Sequence, residues 1–123
     1  TGSEQNGHGY DHNALDPATG DHYVHPYNSA TIYKWSSGTW SALPDMPNED
    51  DAASITWFPG IGLVYADCRL IRKFSGGSWM DNETGFGASQ NHTVSEYYQS
   101  AYVLIYGSGN CSDTMRSFSS LYF

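Results

Sequence analysis

Tyr33-Lys34-Trp35-Ser36-Ser37-Gly38-Thr39-Trp40 is followed, 39 residues later, by Arg72-Lys73-Phe74-Ser75-Gly76-Gly77-Ser78-Trp79. Lysine, serine, glycine and tryptophan coincide, and an aromatic stands opposite an aromatic. A looser third copy, Met115-Arg116-Ser117-Phe118-Ser119-Ser120-Leu121-Tyr122-Phe123, matches Ile71 to Trp79 after a further 44 residues. Upstream positions follow the same period: Leu15, Gly20 and Val24 align 40 residues before Ile55, Gly60 and Val64, while Ile55 aligns with Val94 and Tyr65 with Tyr106. A repeat near 40 residues is the period of a four-stranded propeller blade.

Within one repeat the local signals are those of strands. His12 to Leu15 is stopped by Asp16-Pro17-Ala18-Thr19-Gly20, where Pro sets φ and Gly supplies a positive φ. Tyr23 to Tyr27 reads as a second strand and Ala30 to Trp35 as a third, rich in β-branched and aromatic residues. Ser36-Ser37-Gly38 then turns the chain into a fourth strand at Thr39 to Leu43, and Leu43-Pro44-Asp45-Met46-Pro47 closes the unit, because two prolines cannot continue a ladder. No adequate window carries a 3.6-residue apolar period, so little or no helix is expected. The expected fold is all-β: a β-propeller of four-stranded antiparallel blades, with blade 1 over about 8–47, blade 2 over about 48–86 and an incomplete blade 3 over about 87–123. Trp35, Trp40, Phe74, Trp79 and Phe118 are the expected structural aromatics, with Trp40 and Trp79 filling the wedges between blades.

Tyr33, then Trp40, then Leu43-Pro44-Asp45-Met46-Pro47 resembles the end of a kelch repeat, and His12-Asn13-Ala14 with Tyr23-Val24 resembles its beginning. The resemblance runs over nearly the whole chain. It implies a kelch-like propeller of the galactose oxidase-type superfamily. The paired glycines of that family after the second strand are absent here, and Arg72 and Arg116 stand where Tyr33 stands in the first copy. The sialidase Asp-box is a poorer match, because neither Ser36-to-Trp40 nor Ser75-to-Trp79 carries its aspartate.

Composition removes several classes of partner. Of 123 residues, 13 are acidic and five are Lys or Arg; the formal charge of −8 opposes nucleic-acid phosphate and anionic membrane. The longest uninterrupted apolar run, Ala101 to Tyr106, is too short to cross a bilayer, so no membrane insertion is expected. The chain opens on Thr1, which suggests a processed product or an excerpt, and the third copy stops at Phe123 as its fourth strand would begin. An open arc exposes sheet edges and an apolar blade face, so further blades or other copies are expected to complete a ring.

Blades that run outward from an axis bring two sets of loops to one face: those leading into each first strand and those joining second to third strands. The candidate ligand-binding residues on that face are Asp11, His12, Tyr27, Asn28, Asp50, Asp51, Asp67, Arg69 and His92. Asp11, His12 and His92 are also candidates for a divalent cation, His suiting zinc or copper and carboxylate suiting calcium, although no short-spaced ligand motif is present. Tyr10, Tyr23, Tyr27 and Trp57 could stack on sugar rings, or simply belong to the core.

Cys68 and Cys111 occupy corresponding hairpins. They form either one disulfide, which needs Cα atoms within about 7 Å, or two independent thiols. Three N-glycosylation sequons begin at Asn82, Asn91 and Asn110 and favour a secreted setting. No catalytic residue is assigned and no cofactor is expected. The leading expectation is a non-catalytic binding or structural module, extracellular or on a virion or cell surface, that recognises protein or polysaccharide through its loop face. The alternatives are a fragment of a propeller enzyme acting on carbohydrates, galactose oxidase-like or glycosidase-like, and a self-assembling scaffold.

Overall fold

Tight hairpins organise the chain. Ser37 and Gly38 have φ of 50° and 88°, and Gly76 and Gly77 have φ of 61° and 85°. Two successive positive φ values give a turn whose twist matches that of the flanking strands, so each pair of strands closes in register. The structure, a computed structural model, describes residues 12–26, 29–47, 53–67, 70–84, 93–98, 100–106 and 114–118. Among these residues the chain is all-β: eleven strands and no helix.

The first sheet contains β1 (Asn13–Leu15), β2 (His22–Val24), β3 (Tyr33–Ser36) and β4 (Thr39–Ala42) in that order. The second contains β5 (Ser54–Phe58), β6 (Gly62–Ala66), β7 (Leu70–Ser75) and β8 (Ser78–Thr84), again in chain order. The third pairs β9 (Thr93–Tyr98), β10 (Ala101–Tyr106) and β11 (Thr114–Phe118). All the pairings are antiparallel. Strand β1 lies beside β5, and β5 beside β9. The described architecture is therefore two four-stranded antiparallel meanders and a third sheet of three described strands, with their first strands adjacent, an order consistent with propeller blades.

Regular pairing in the first sheet is shorter than the sequence suggests: β2 ends at Val24 and β3 starts at Tyr33. Pro26 has no N–H to give, so the ladder cannot run on. Isolated backbone bonds carry the meander further. His25 N–H donates to the His12 carbonyl at 2.7 Å, Leu43 N–H to Ile32 at 2.9 Å and Met46 N–H to Ala30 at 2.9 Å. At the other end of the sheet Asp16 is buried and holds the β1–β2 turn. Its carboxylate accepts from Ala18 N–H and from the Thr19 hydroxyl, both at 2.9 Å.

Strand register changes the alignment of the repeats. Tyr23 pairs with Lys34, and Val64 pairs with Lys73. Since Lys34 and Lys73 are equivalent, Tyr23 rather than Val24 matches Val64, and Val24 matches Tyr65. The 40-residue alignment slips by one residue here, and in a strand one residue moves a side chain to the opposite face. The longer β1–β2 turn, residues 16–21 against 59–61 between β5 and β6, makes the difference.

The main core is the seam between the first two sheets. Ala14, Tyr23, Ile32 and Met46 pack with Ala53, Ile55, Leu63 and Tyr65, and Leu43, Trp57, Phe74 and Trp79 seal the margin. Trp79 is partly buried and packs against this cluster. It lies 5.2 Å from Phe74 between ring centroids, and its Nε1–H reaches across to the Pro44 carbonyl at 2.8 Å. Trp40 and Trp35 face each other across β3 and β4 but are only half-buried, on the side of the first sheet turned away from the second. The second and third sheets meet through Phe58 and Tyr102, whose rings are 5.0 Å apart, and through the Tyr102 hydroxyl, which donates to the Pro59 carbonyl at 3.2 Å. Phe118 lies in β11 opposite Tyr102.

Candidate functional site

In an antiparallel meander successive hairpins alternate between the two ends of the sheet. The segment before β1, the β2–β3 connection and the β6–β7 connection therefore share one end. The candidate residues His12 and Asp67 both lie there, and both are buried. The His12 ring stacks on His25 at 5.2 Å, and its Nδ1 is 2.9 Å from the His25 carbonyl. His25 meets the edge of Tyr65 at 5.8 Å, and its Nε2 is 2.9 Å from the Ser29 carbonyl. The Tyr65 hydroxyl donates to Asp67 Oδ2 at 2.9 Å. Arg72 completes the column: its guanidinium carbon is 5.1 Å from the centre of the Tyr65 ring, and Nη1 donates to the Pro47 carbonyl at 2.8 Å.

This column joins the first two sheets by polar and π contacts at one end, as the aromatic seam joins them at the other. A buried cation over an aromatic face loses hydration and gains the ring quadrupole together with a carbonyl acceptor. His12 and Asp67 are thus engaged in packing the chain's own sheets. Residue type alone does not mark His25, Tyr65 or Arg72 as members of this column. The available signal was Arg72 itself, a charged residue at the position held by Tyr33 in the first repeat. Asp11, Tyr27, Asn28, Asp50, Asp51, Arg69 and His92 lie outside the described residues, as do Tyr10, Cys68, Cys111, Asn91 and Asn110. Asn82 is in β8, between Asp81, which pairs with Arg72, and Glu83, which pairs with Ile71; it is the extra residue of a bulge. Among the described residues no three His, Cys, Asp or Glu side chains converge as metal ligands.

The opposite end carries a concavity. An open cleft of about 340 Å³ lies between the first two sheets, lined by Tyr23, Trp57, Phe74, Leu63 and the turn Gly60-Ile61-Gly62. Trp57 stacks against Tyr23 with centroids 5.9 Å apart and planes 16° from parallel. Gly62, at φ +106°, passes close beneath the Trp57 ring; a Cβ there would meet Cη2 at 3.8 Å. Only glycine adopts that backbone freely, so the turn and the ring form one surface.

Polar groups stand on the same face of the first sheet as Tyr23. Lys34 is its cross-strand partner, and Lys34 Nζ is 3.2 Å from Asp21 Oδ2, while the Ser36 hydroxyl donates to Asp21 Oδ1. The Ser36 bond first, and then Lys34, hold the Asp21 carboxyl below its ordinary range. The bond to Asp21 holds the Lys34 ammonium above its own. Burial raises the Tyr23 phenol, so it stays protonated at neutral pH and keeps a hydroxyl donor. An aromatic floor beside a fixed carboxylate and ammonium can stack on an apolar ring face and hydrogen-bond hydroxyls around it. No protein-family model, no curated protein and no solved structure matches this chain.

Proposed function

We propose that the chain is a non-catalytic binding module that takes a neutral polysaccharide in the cleft between its first two sheets. The observation that carries this reading is the stacked Tyr23–Trp57 pair with Phe74 beside it, set in an open cleft next to the Asp21–Lys34–Ser36 cluster. Sugar rings offer flat C–H faces to aromatics and hydroxyls to charged groups, and this surface offers both complements. The kelch-like repeat pattern, the three sequons and the acidic charge support an extracellular or particle-surface setting. The cleft lies at the end opposite His12 and Asp67, so binding here does not depend on the loop face.

A direct test is calorimetric titration of the purified chain against a panel of neutral oligosaccharides, with the tryptophan emission followed in parallel. We expect saturable binding by at least one member and a loss of about tenfold in affinity for Trp57→Ala, since an aromatic contact contributes roughly 0.5–1.5 kcal/mol beyond the area it buries. A folded chain that binds none of the panel, or a Trp57→Ala variant that binds as well as the wild type, rejects the proposal.

A further inference from the structure

The polar rim of the cleft carries more hydrogen-bonding capacity than the described residues use. Asp21 Oδ1 accepts from the Ser36 hydroxyl, and Oδ2 holds the Lys34 ammonium at 3.2 Å. An ionised carboxylate offers about four lone-pair positions and an ammonium three N–H donors, so acceptor capacity remains on Asp21 and donor capacity on Lys34. Both groups reach solvent: the Lys34 and Asp21 side chains keep 32% and 14% of their surface exposed.

Their placement ties them to the aromatic floor. Lys34 is the direct cross-strand neighbour of Tyr23, which lines the cleft and stacks on Trp57. Asp21 ends the β1–β2 turn, and the Gly60-Ile61-Gly62 turn that lines the cleft likewise follows the first strand of its sheet. Ser36 and Lys34 fix the carboxylate in advance, so little ordering is left for a ligand to impose.

A donor and an acceptor held side by side are the complement of two adjacent hydroxyls. On a sugar ring such a gauche pair sets its oxygens about a hydrogen-bond length apart, close to the separation of Lys34 Nζ and Asp21 Oδ2. We propose, on the reading of the cleft as a polysaccharide site, that Asp21 and Lys34 make it select chains whose rings carry two adjacent free hydroxyls. One hydroxyl donates to the Asp21 carboxylate and its neighbour accepts from the Lys34 ammonium. A ring with an amide or a linkage in place of either hydroxyl leaves one of these charged groups without its bond. Acidic sugars are disfavoured as well, because Asp21 and the formal charge of −8 oppose a second carboxylate.

The test is calorimetric titration of the full chain with oligosaccharides that share flat neutral rings and differ in the diol. Those of glucose, mannose or xylose linked through carbon four keep adjacent hydroxyls on carbons two and three of every ring. Glucose linked through carbon three has no adjacent pair within the chain, and N-acetylglucosamine linked through carbon four carries an amide in place of one member. We expect at least one sugar of the first group to bind at least about tenfold more tightly than either control, since hydrogen bonds to charged groups are the stronger ones. Lys34→Met, which keeps the apolar stem, should bring that sugar and the controls to within about twofold of one another. Trp57→Ala should weaken all of them and leave the preference in place. Equal affinity for diol and control, or a preference that Lys34→Met leaves intact, overturns selection by Asp21 and Lys34 and leaves the aromatic cleft standing. Failure of every sugar to bind, or binding that Trp57→Ala does not weaken, overturns both.

Discussion

Trp79 offers the sharpest measure of how the sheets are held together. Its indole lies against Phe74 and the margin of the core, and its N–H crosses to Pro44 in the first sheet. A buried tryptophan contributes roughly 200 Å². Trp79 keeps part of its surface in water, so about 150 Å² is removed from solvent, or nearly 4 kcal/mol at about 25 cal/mol per Å². An alanine methyl retains a little under 1 kcal/mol of that. The indole hydrogen bond lies near solvent and adds about 0.5–1 kcal/mol net. Trp79→Ala should therefore cost about 3–4 kcal/mol, and Trp79→Phe, which loses the bond and part of the ring, about 1–2 kcal/mol. The assay is equilibrium urea denaturation followed by far-UV circular dichroism, with the m-value checked for constancy so that the midpoints compare one transition. A loss below about 1 kcal/mol for Trp79→Ala would mean that the tryptophan is a surface ornament and that the seam is held elsewhere. Equal losses for the Phe and Ala variants would locate the effect in the N–H···O bond rather than in the burial.

Tyr65→Phe removes one donor from the fully buried Asp67 carboxylate without changing the ring, and should cost about 1–3 kcal/mol in the same denaturation assay; an unchanged midpoint would show that the bond is idle. Ser37 occupies a left-handed position that its repeat partner fills with Gly76, so Ser37→Asn, which tolerates that region better, should raise stability by about 0.5 kcal/mol, and a lowered thermal midpoint would contradict the turn geometry. The Asp21 carboxyl titrates below its unfolded value, so its contribution is complete above the unfolded pKa near 4 and is lost as pH falls through the lower, folded value. The gap in urea midpoint between wild type and Asp21→Asn should stay constant from pH 7 to about 5 and close in more acidic solution; a gap that widens on acidification would reverse the sign of the argument. The Lys34 ammonium works in the opposite sense, contributing below its unfolded pKa and ceasing to contribute as alkaline pH passes the raised folded value.

Much of the architecture was open to reading in the chain itself. The Ser37-Gly38 and Gly76-Gly77 turns, the Trp40 and Trp79 that follow them, and Pro44 and Pro47 after the fourth strand mark blade-like units because each acts locally: a turn needs positive φ, and a proline denies a donor. The face on which a residue lies was harder to read. Val24 and Val64 align in sequence yet lie on opposite faces of their sheets, because face depends on strand register and a longer β1–β2 turn displaced it by one residue. The candidate sites show the same division. His12 and Asp67 were legible as residue types, but their burial in one column with His25, Tyr65 and Arg72 depends on which loops the antiparallel order brings to one end.

By itself, then, the sequence determined a repeating all-β chain with a net acidic charge, since turn chemistry, period and charge are properties of neighbouring residues. Only the tertiary structure decided that the aromatic cleft opens at the end opposite the His12–Arg72 column, and that Trp79 finds its carbonyl while Trp40, its counterpart, has no acceptor among the described residues. Those facts depend on how one sheet rests on the next, between residues some 35 positions apart in the chain, and no local pattern encodes that contact.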